Sequence, residues 1–128
     1  MLESHVIQTK GFRNVDGGFQ VAVRCPYYRG LWASLLEGAE LTVDGDTYGS
    51  DAVRWTLGGV TYTAAELTER SDVRWPFEEA AILTVDRPEG LEPGLHTVQV
   101  ALTWRWSYIP VERQPTTHIS ERKLVLVR

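Results

Sequence analysis

The chain has 128 residues, 43% of them hydrophobic and 23% charged, with a formal net charge of −4. That length predicts one domain over 1–128, with a core large enough to need neither disulfides nor a structural metal. The acidic balance and the lack of a basic run argue against nucleic acid, and no apolar run approaches the roughly 20 residues of a membrane span.

The opening Met1-Leu2-Glu3-Ser4-His5 lacks the basic and apolar regions of a signal peptide. Cys25 is the sole cysteine, which forbids an intrachain disulfide and fits a reducing compartment. Both features point to a cytoplasmic protein.

Residues 6–15 read as a short strand passing through Gly11, and Asp16-Gly17-Gly18 is a turn signal. Residues 19–24 alternate, with Phe19, Val21 and Val23 on one face and Gln20, Ala22 and Arg24 on the other. Pro26 has no amide hydrogen and pushes Cys25 towards extended backbone, so the ladder is expected to break or reach a sheet edge there. Tyr27, Tyr28, Arg29, Gly30, Leu31 and Trp32 follow. Tyr, Trp and Arg give large contact area, stacking faces and forked hydrogen bonding at recognition surfaces. Arg24, Tyr27, Tyr28, Arg29 and Trp32 are therefore candidates for a partner interface or a pocket wall. Otherwise 27–38 reads as a long loop packed on the core through Leu31, Trp32, Leu35 and Leu36, which also suit a brief helical turn.

Residues 39–43 alternate again and end in Asp44-Gly45, a hairpin signal because tight hairpin turns need positive φ. The clearest hairpin is 53–57, Gly58-Gly59, 60–63. Thr63-Ala64-Ala65-Glu66 fits a capping box and predicts one short helix near 64–69. Arg74-Trp75-Pro76-Phe77 is a second arginine-aromatic-proline break and adds Arg74 and Trp75 to the contact candidates. Residues 80–85 form a strand ended by Asp86-Arg87-Pro88, and Gly90 to Gly94 is a turn. The longest strand sets Val98, Val100, Leu102, Trp104, Trp106 and Tyr108 against Gln99, Ala101, Thr103, Arg105 and Ser107. A loop at 110–115 leads to a last strand over 120–127, with Leu124 and Leu126 opposite Val125 and Val127. The sum is an all-β antiparallel sandwich of about eight to ten strands with one short helix. Trp55, Trp104 and Trp106 are expected in its core, while Trp32 and Trp75 fall outside clean alternation and suit core or contact roles alike.

Chemistry-bearing patterns are scarce. His5, His96 and His118 are scattered without metal-ligand spacing and read as surface or strand-end residues. Glu78-Glu79, if in a strand, point to opposite faces and make no carboxylate pair. Cys25 has no local base to activate it. No nucleophile elbow or phosphate-binding glycine fingerprint occurs. The expectation is a chain with no catalytic residues and no metal ligands of its own.

The order of several motifs resembles the small (β) subunit of bacterial C-glycoside deglycosidases. They are Lys10-Gly11-Phe12-Arg13-Asn14-Val15, then Phe19-Gln20-Val21 leading into Pro26-Tyr27-Tyr28-Arg29-Gly30. Glu37-Gly38, Thr42-Val43-Asp44-Gly45, the hairpin Leu57 to Thr63, and Asp72-Val73-Arg74-Trp75 continue the match. Gly94-Leu95-His96-Thr97-Val98 and Ser107-Tyr108-Ile109-Pro110 carry it to nearly the whole chain, whereas Cys25 stands where the family usually has an aliphatic residue.

The resemblance implies a β-sandwich that assembles with a larger (β/α)-barrel α subunit carrying a divalent metal, typically manganese. That complex cleaves the C–C bond between a 3-oxo-sugar and an aromatic aglycone, after an oxidoreductase has made the 3-ketone. On this reading the 24–32 stretch and Arg74-Trp75-Pro76 face the larger subunit and wall the pocket of a small glycoside. A different class of function, a carbohydrate-binding module that stacks sugars on Trp and Tyr, is separated from it by glycoside titration of the isolated chain. A structural immunoglobulin-like spacer is a third, and it lacks the Cys…Trp…Cys spacing.

Overall fold

The computed structural model describes residues 6–25, 30–76, 78–105 and 116–126. The strands are β1 (Arg13–Val15), β2 (Gly18–Arg24), β3 (Leu31–Trp32), β4 (Leu36–Val43), β5 (Asp46–Tyr48), β6 (Val53–Leu57) and β7 (Val60–Thr63). Helix α1 (Ala64–Thr68) follows, then β8 (Arg74–Trp75), β9 (Ala80–Asp86), β10 (Gly94–Trp104) and β11 (Thr116–Leu126). A five-stranded sheet runs β1-β2-β9-β6-β7, a four-stranded sheet runs β11-β10-β4-β5, and β3 and β8 form a separate two-stranded ribbon. All the pairings are antiparallel. The all-β architecture is as expected, with the two shortest strands, β3 and β8, adding to the predicted set.

Alternation builds the core. β6, β9 and β10 bury every second residue, so Trp55, Leu83, Val98, Val100 and Leu102 lose all contact with water. One apolar cluster takes in side chains of both large sheets, including Phe19, Val21, Leu41, Trp55, Leu102 and Leu124. Burying each such side chain contributes about 1.5–3 kcal/mol.

Local chemistry sets the connections. Asp44 (φ 50) and Gly45 (φ 91) close β4 onto β5 with Val43 facing Asp46, and Gly58 and Gly59, both at positive φ, do the same for β6 and β7. Both are two-residue hairpins with the φ signs that match strand twist. Thr63 caps α1 as read from sequence: its hydroxyl accepts from the Glu66 amide at 3.1 Å, and the Glu66 carboxylate accepts from the Thr63 amide at 2.9 Å. The Thr68 hydroxyl then ties the helix to the Leu36 carbonyl at 2.9 Å.

Four expectations change. The segment 6–15 is not one strand: Ile7 makes a single bridge to Val23, Gly11 turns the chain at φ 93, and β1 starts only at Arg13. The predicted loop over 27–38 contains β3, a short 3-10 turn at Ala33–Leu35, and the start of β4. The register shift opposite Thr103 and Trp104 lets Leu36 and Ala39 both face inward, which breaks strict alternation and hides the strand. Glu78 and Glu79 lie in a turn outside any strand, where the Glu79 carboxylate accepts from the Gly58 amide at 2.9 Å. The last strand also begins at Thr116, earlier than read.

Candidate functional site

The two arginine-aromatic-proline stretches meet in space. β3 and β8 pair so that Leu31 faces Trp75 and Trp32 faces Arg74. The ribbon continues through the Ala33 amide, which donates to the Val73 carbonyl at 2.8 Å. Because successive strand residues point to opposite faces, Leu31 and Trp75 go inward while Trp32 and Arg74 go outward.

Gly30 enters the ribbon at φ 76, and a Cβ there would lie 2.7 Å from the Trp75 carbonyl oxygen and 2.9 Å from the Arg74 guanidinium. Only glycine accepts both that backbone and that approach. Gly30 is therefore the point at which the two stretches touch.

The candidate residues separate into groups. Trp32 is 47% exposed and Arg74 is exposed opposite it, so an indole ring and a guanidinium stand side by side at the surface. Arg24 is half-buried at the end of β2, opposite Ala80. Trp75 is fully buried. Its indole N–H donates to the Glu79 carbonyl at 2.9 Å, and its ring meets that of Trp55 nearly edge-on, with centroids 5.4 Å apart. Of its two possible roles Trp75 takes the core one, because β8 presents it to the five-stranded sheet. Tyr27, Tyr28 and Arg29 lie outside the described residues, as does Trp106. Cys25 is buried. Trp55 and Trp104 are core residues, as expected.

A second polar cluster has no counterpart in the sequence reading. His96 leaves the start of β10 and is buried, not exposed at a strand end. Its Nδ1 lies 2.5 Å from the Asp44 carboxylate and its Nε2 lies 2.6 Å from the Glu92 carbonyl. Both partners accept hydrogen bonds, so the imidazolium, which donates from both nitrogens, satisfies the site best. Burial opposes the charge on His96, but the Glu92 carbonyl and the Asp44 carboxylate outweigh it and raise its pKa. The Thr97 amide, with His96 second, lowers the pKa of Asp44.

Around this pair, the Arg87 guanidinium donates to the Gly90 carbonyl and the Tyr48 hydroxyl, and Asn14 makes two 2.8 Å bonds to the Leu91 backbone. These bonds strap the 87–93 turn against β1 and the Asp44-Gly45 hairpin. Asp44, Asp46, Arg87, Glu92 and His96 line an open groove of about 550 Å³ there. With Nε2 held by a carbonyl, His96 has no nitrogen left to take a proton from a nucleophile, so the Asp44–His96 pair acts as a clamp. Nothing local in the sequence announces it, because Asp44 and His96 are joined only by the pairing of β10 with β4. Among the described residues no three His, Cys, Asp or Glu converge as a metal site. No helix of the described residues is long and apolar enough to cross a membrane.

Residues 2–108 match the family model described as C-glycoside deglycosidase beta subunit. The chain belongs to that family. A C-glycoside deglycosidase beta subunit of Eubacterium cellulosolvens is 32% identical, over 98% of this chain and 100% of its own length. One from Microbacterium trichothecenolyticum is 34% identical over 95% of this chain and 92% of its own. A 3'-dehydrocarminate deglycosidase beta subunit from Microbacterium sp. is 33% identical over 78% of this chain and 75% of its own. The family match contains both strands of the ribbon and Gly30.

Proposed function

We propose that this chain is the small subunit of a heteromeric C-glycoside deglycosidase and is inactive alone. The complex cleaves the C–C bond between a 3-oxo-sugar and an aromatic aglycone such as a flavonoid. In this reading the base and a divalent metal, manganese, belong to the larger (β/α)-barrel subunit. The 3-ketone acidifies the adjacent C–H, and loss of that proton to the base gives an enolate. Its electrons then form a C=C bond conjugated with the ketone as the bond to the aglycone breaks, and the aglycone carbon takes up a proton. This chain contributes surface: Trp32 a stacking face, Arg74 forked donors, with Arg24, Tyr27, Tyr28 and Arg29 from the adjoining stretch.

The observation that carries this reading is membership of a family named as a beta subunit, over nearly the whole chain. The ribbon supports the assignment of surface, because Trp and Arg anchors of this kind dominate the energetics of specific interfaces. Co-expression with the larger subunit, native mass measurement and assay on a 3-oxo-C-glucoside test it. The expected result is a heteromer that turns the substrate over, with neither subunit active alone. Tyr28→Ala with Arg29→Ala is expected to abolish co-purification or turnover while the fold persists. A small subunit that never associates, or that cleaves substrate unaided, would refute the reading.

A further inference from the structure

Three of the large hydrophobic side chains left exposed, Leu95 at 64%, Ile119 at 57% and Val125 at 60%, share the outer face of β10 and β11. β11 is 11 residues long and ends its sheet, and among the described residues no strand pairs with its other edge. A long edge of this kind is a template for another strand. Its outward residues read Thr117, Ile119, Glu121, Lys123 and Val125, a sequence with complementary halves about Arg122.

We propose that β11 pairs antiparallel with β11 of a second copy of this chain, about a twofold axis at Arg122. The two four-stranded sheets then join into one of eight strands. Glu121 stands opposite Lys123 of the second copy, and Ile119 opposite Val125 of the second copy, each pair occurring twice. Within the chain Val125 already faces Leu95, Ile119 faces Ala101, Glu121 faces Gln99 and Lys123 faces Thr97. The seam therefore extends each row: Leu95 and Val125 continue into Ile119 and Ala101 of the other copy.

Charge complementarity selects the second copy as the occupant and also fixes the register. Neither Glu121 nor Lys123 has an ion-pair partner among the described residues, and their neighbours on β10 are neutral. Directly opposed unlike charges stabilise a strand pair and like charges oppose it. Moving the axis one residue either way sets Glu121 against Glu121 or Lys123 against Lys123. Arg122, on the axis, donates to the Ile7 carbonyl at 2.8 Å, which draws each guanidinium into its own sandwich. The contact is isologous, as a twofold homodimer requires.

The inference concerns two small subunits and stands independently of the larger one. Sedimentation of the full chain alone, across a range of concentrations, is expected to show a reversible monomer–dimer equilibrium. Glu121→Lys or Lys123→Glu each weakens the dimer about tenfold or more, since each turns two unlike pairs into two like pairs. The double exchange restores it, with circular dichroism and Tm unchanged throughout. Hydrogen exchange on the unsubstituted chain adds a readout free of folding effects: β11 amides gain protection as concentration rises, and β5 amides do not. A chain monomeric at every concentration, single reversals without effect, or a double exchange no better than either single one overturns the proposal. So does a monomeric chain whose single reversals instead abolish capture of the larger subunit, which would give the edge to that partner.

Discussion

Trp32 stands directly opposite Arg74 across the β3–β8 ribbon, so two segments distant in sequence present one aromatic-cationic surface. The same pleat sends their neighbours, Leu31 and Trp75, into the core. A two-stranded ribbon is marginal by itself, and here the buried Trp75 fixes it to the sandwich through its contact with Trp55. The exposed pair is thereby held on a rigid base, which limits the entropy lost when a partner binds.

This division predicts unequal costs at the two tryptophans. Trp75→Ala should destabilise the chain by about 3–5 kcal/mol, from lost burial and the cavity left beside Trp55. Trp32→Ala should cost about 0.5 kcal/mol or less. Urea denaturation of the isolated variants measures both, and equal losses would contradict the inward and outward assignment.

At α1, Thr63→Ala removes the hydroxyl that accepts from the Glu66 amide and should cost about 1 kcal/mol. Thr63→Ser keeps an acceptor there and should restore most of it. The comparison of denaturation midpoints checks this, and an Ala variant as stable as the parent would deny the cap.

The His96 clamp gives stability a pH dependence with a defined sign. The folded-state pKa of His96 is raised above 6.5, so its contribution is fully present below that pH. It fades as pH climbs from 6.5 and is gone above the raised value, while the unfolded chain has already lost the proton. Asp44 has the opposite sense: its lowered pKa adds stability above pH 3.8, which is lost as pH falls through the depressed value. Tm profiles of the parent and of His96→Gln should differ below neutrality and converge in alkaline buffer. Parallel profiles would remove His96 from the account.

Much of the fold was legible because its signals are local. Asp44-Gly45, Gly58-Gly59 and the Thr63–Glu66 box act within a few residues, and each produced the turn or cap it predicts. The alternation of β10 placed Val98, Val100, Leu102 and Trp104 in the core. What escaped depends on pairing between distant segments. β3 and β8 are too short to show a period, so in sequence Trp75 suits core and surface alike, and its inward side is set by pairing with Leu31. Asp44 was legible as a turn residue, but its bond to His96 exists only because β10 lies beside β4. Leu36 reads as loop in sequence because the register shift near Trp104 spoils the alternation that marks a strand.

The most direct test of the central claim, that this chain supplies contact surface to chemistry carried elsewhere, joins two substitutions to one assembly assay. Trp32→Ala with Arg74→Ala is co-expressed with the larger subunit, and native mass and turnover of a 3-oxo-C-glucoside are recorded together. The account predicts a folded small subunit whose association or turnover falls by about tenfold or more, the scale of an interface anchor. Full assembly and undiminished turnover would contradict it.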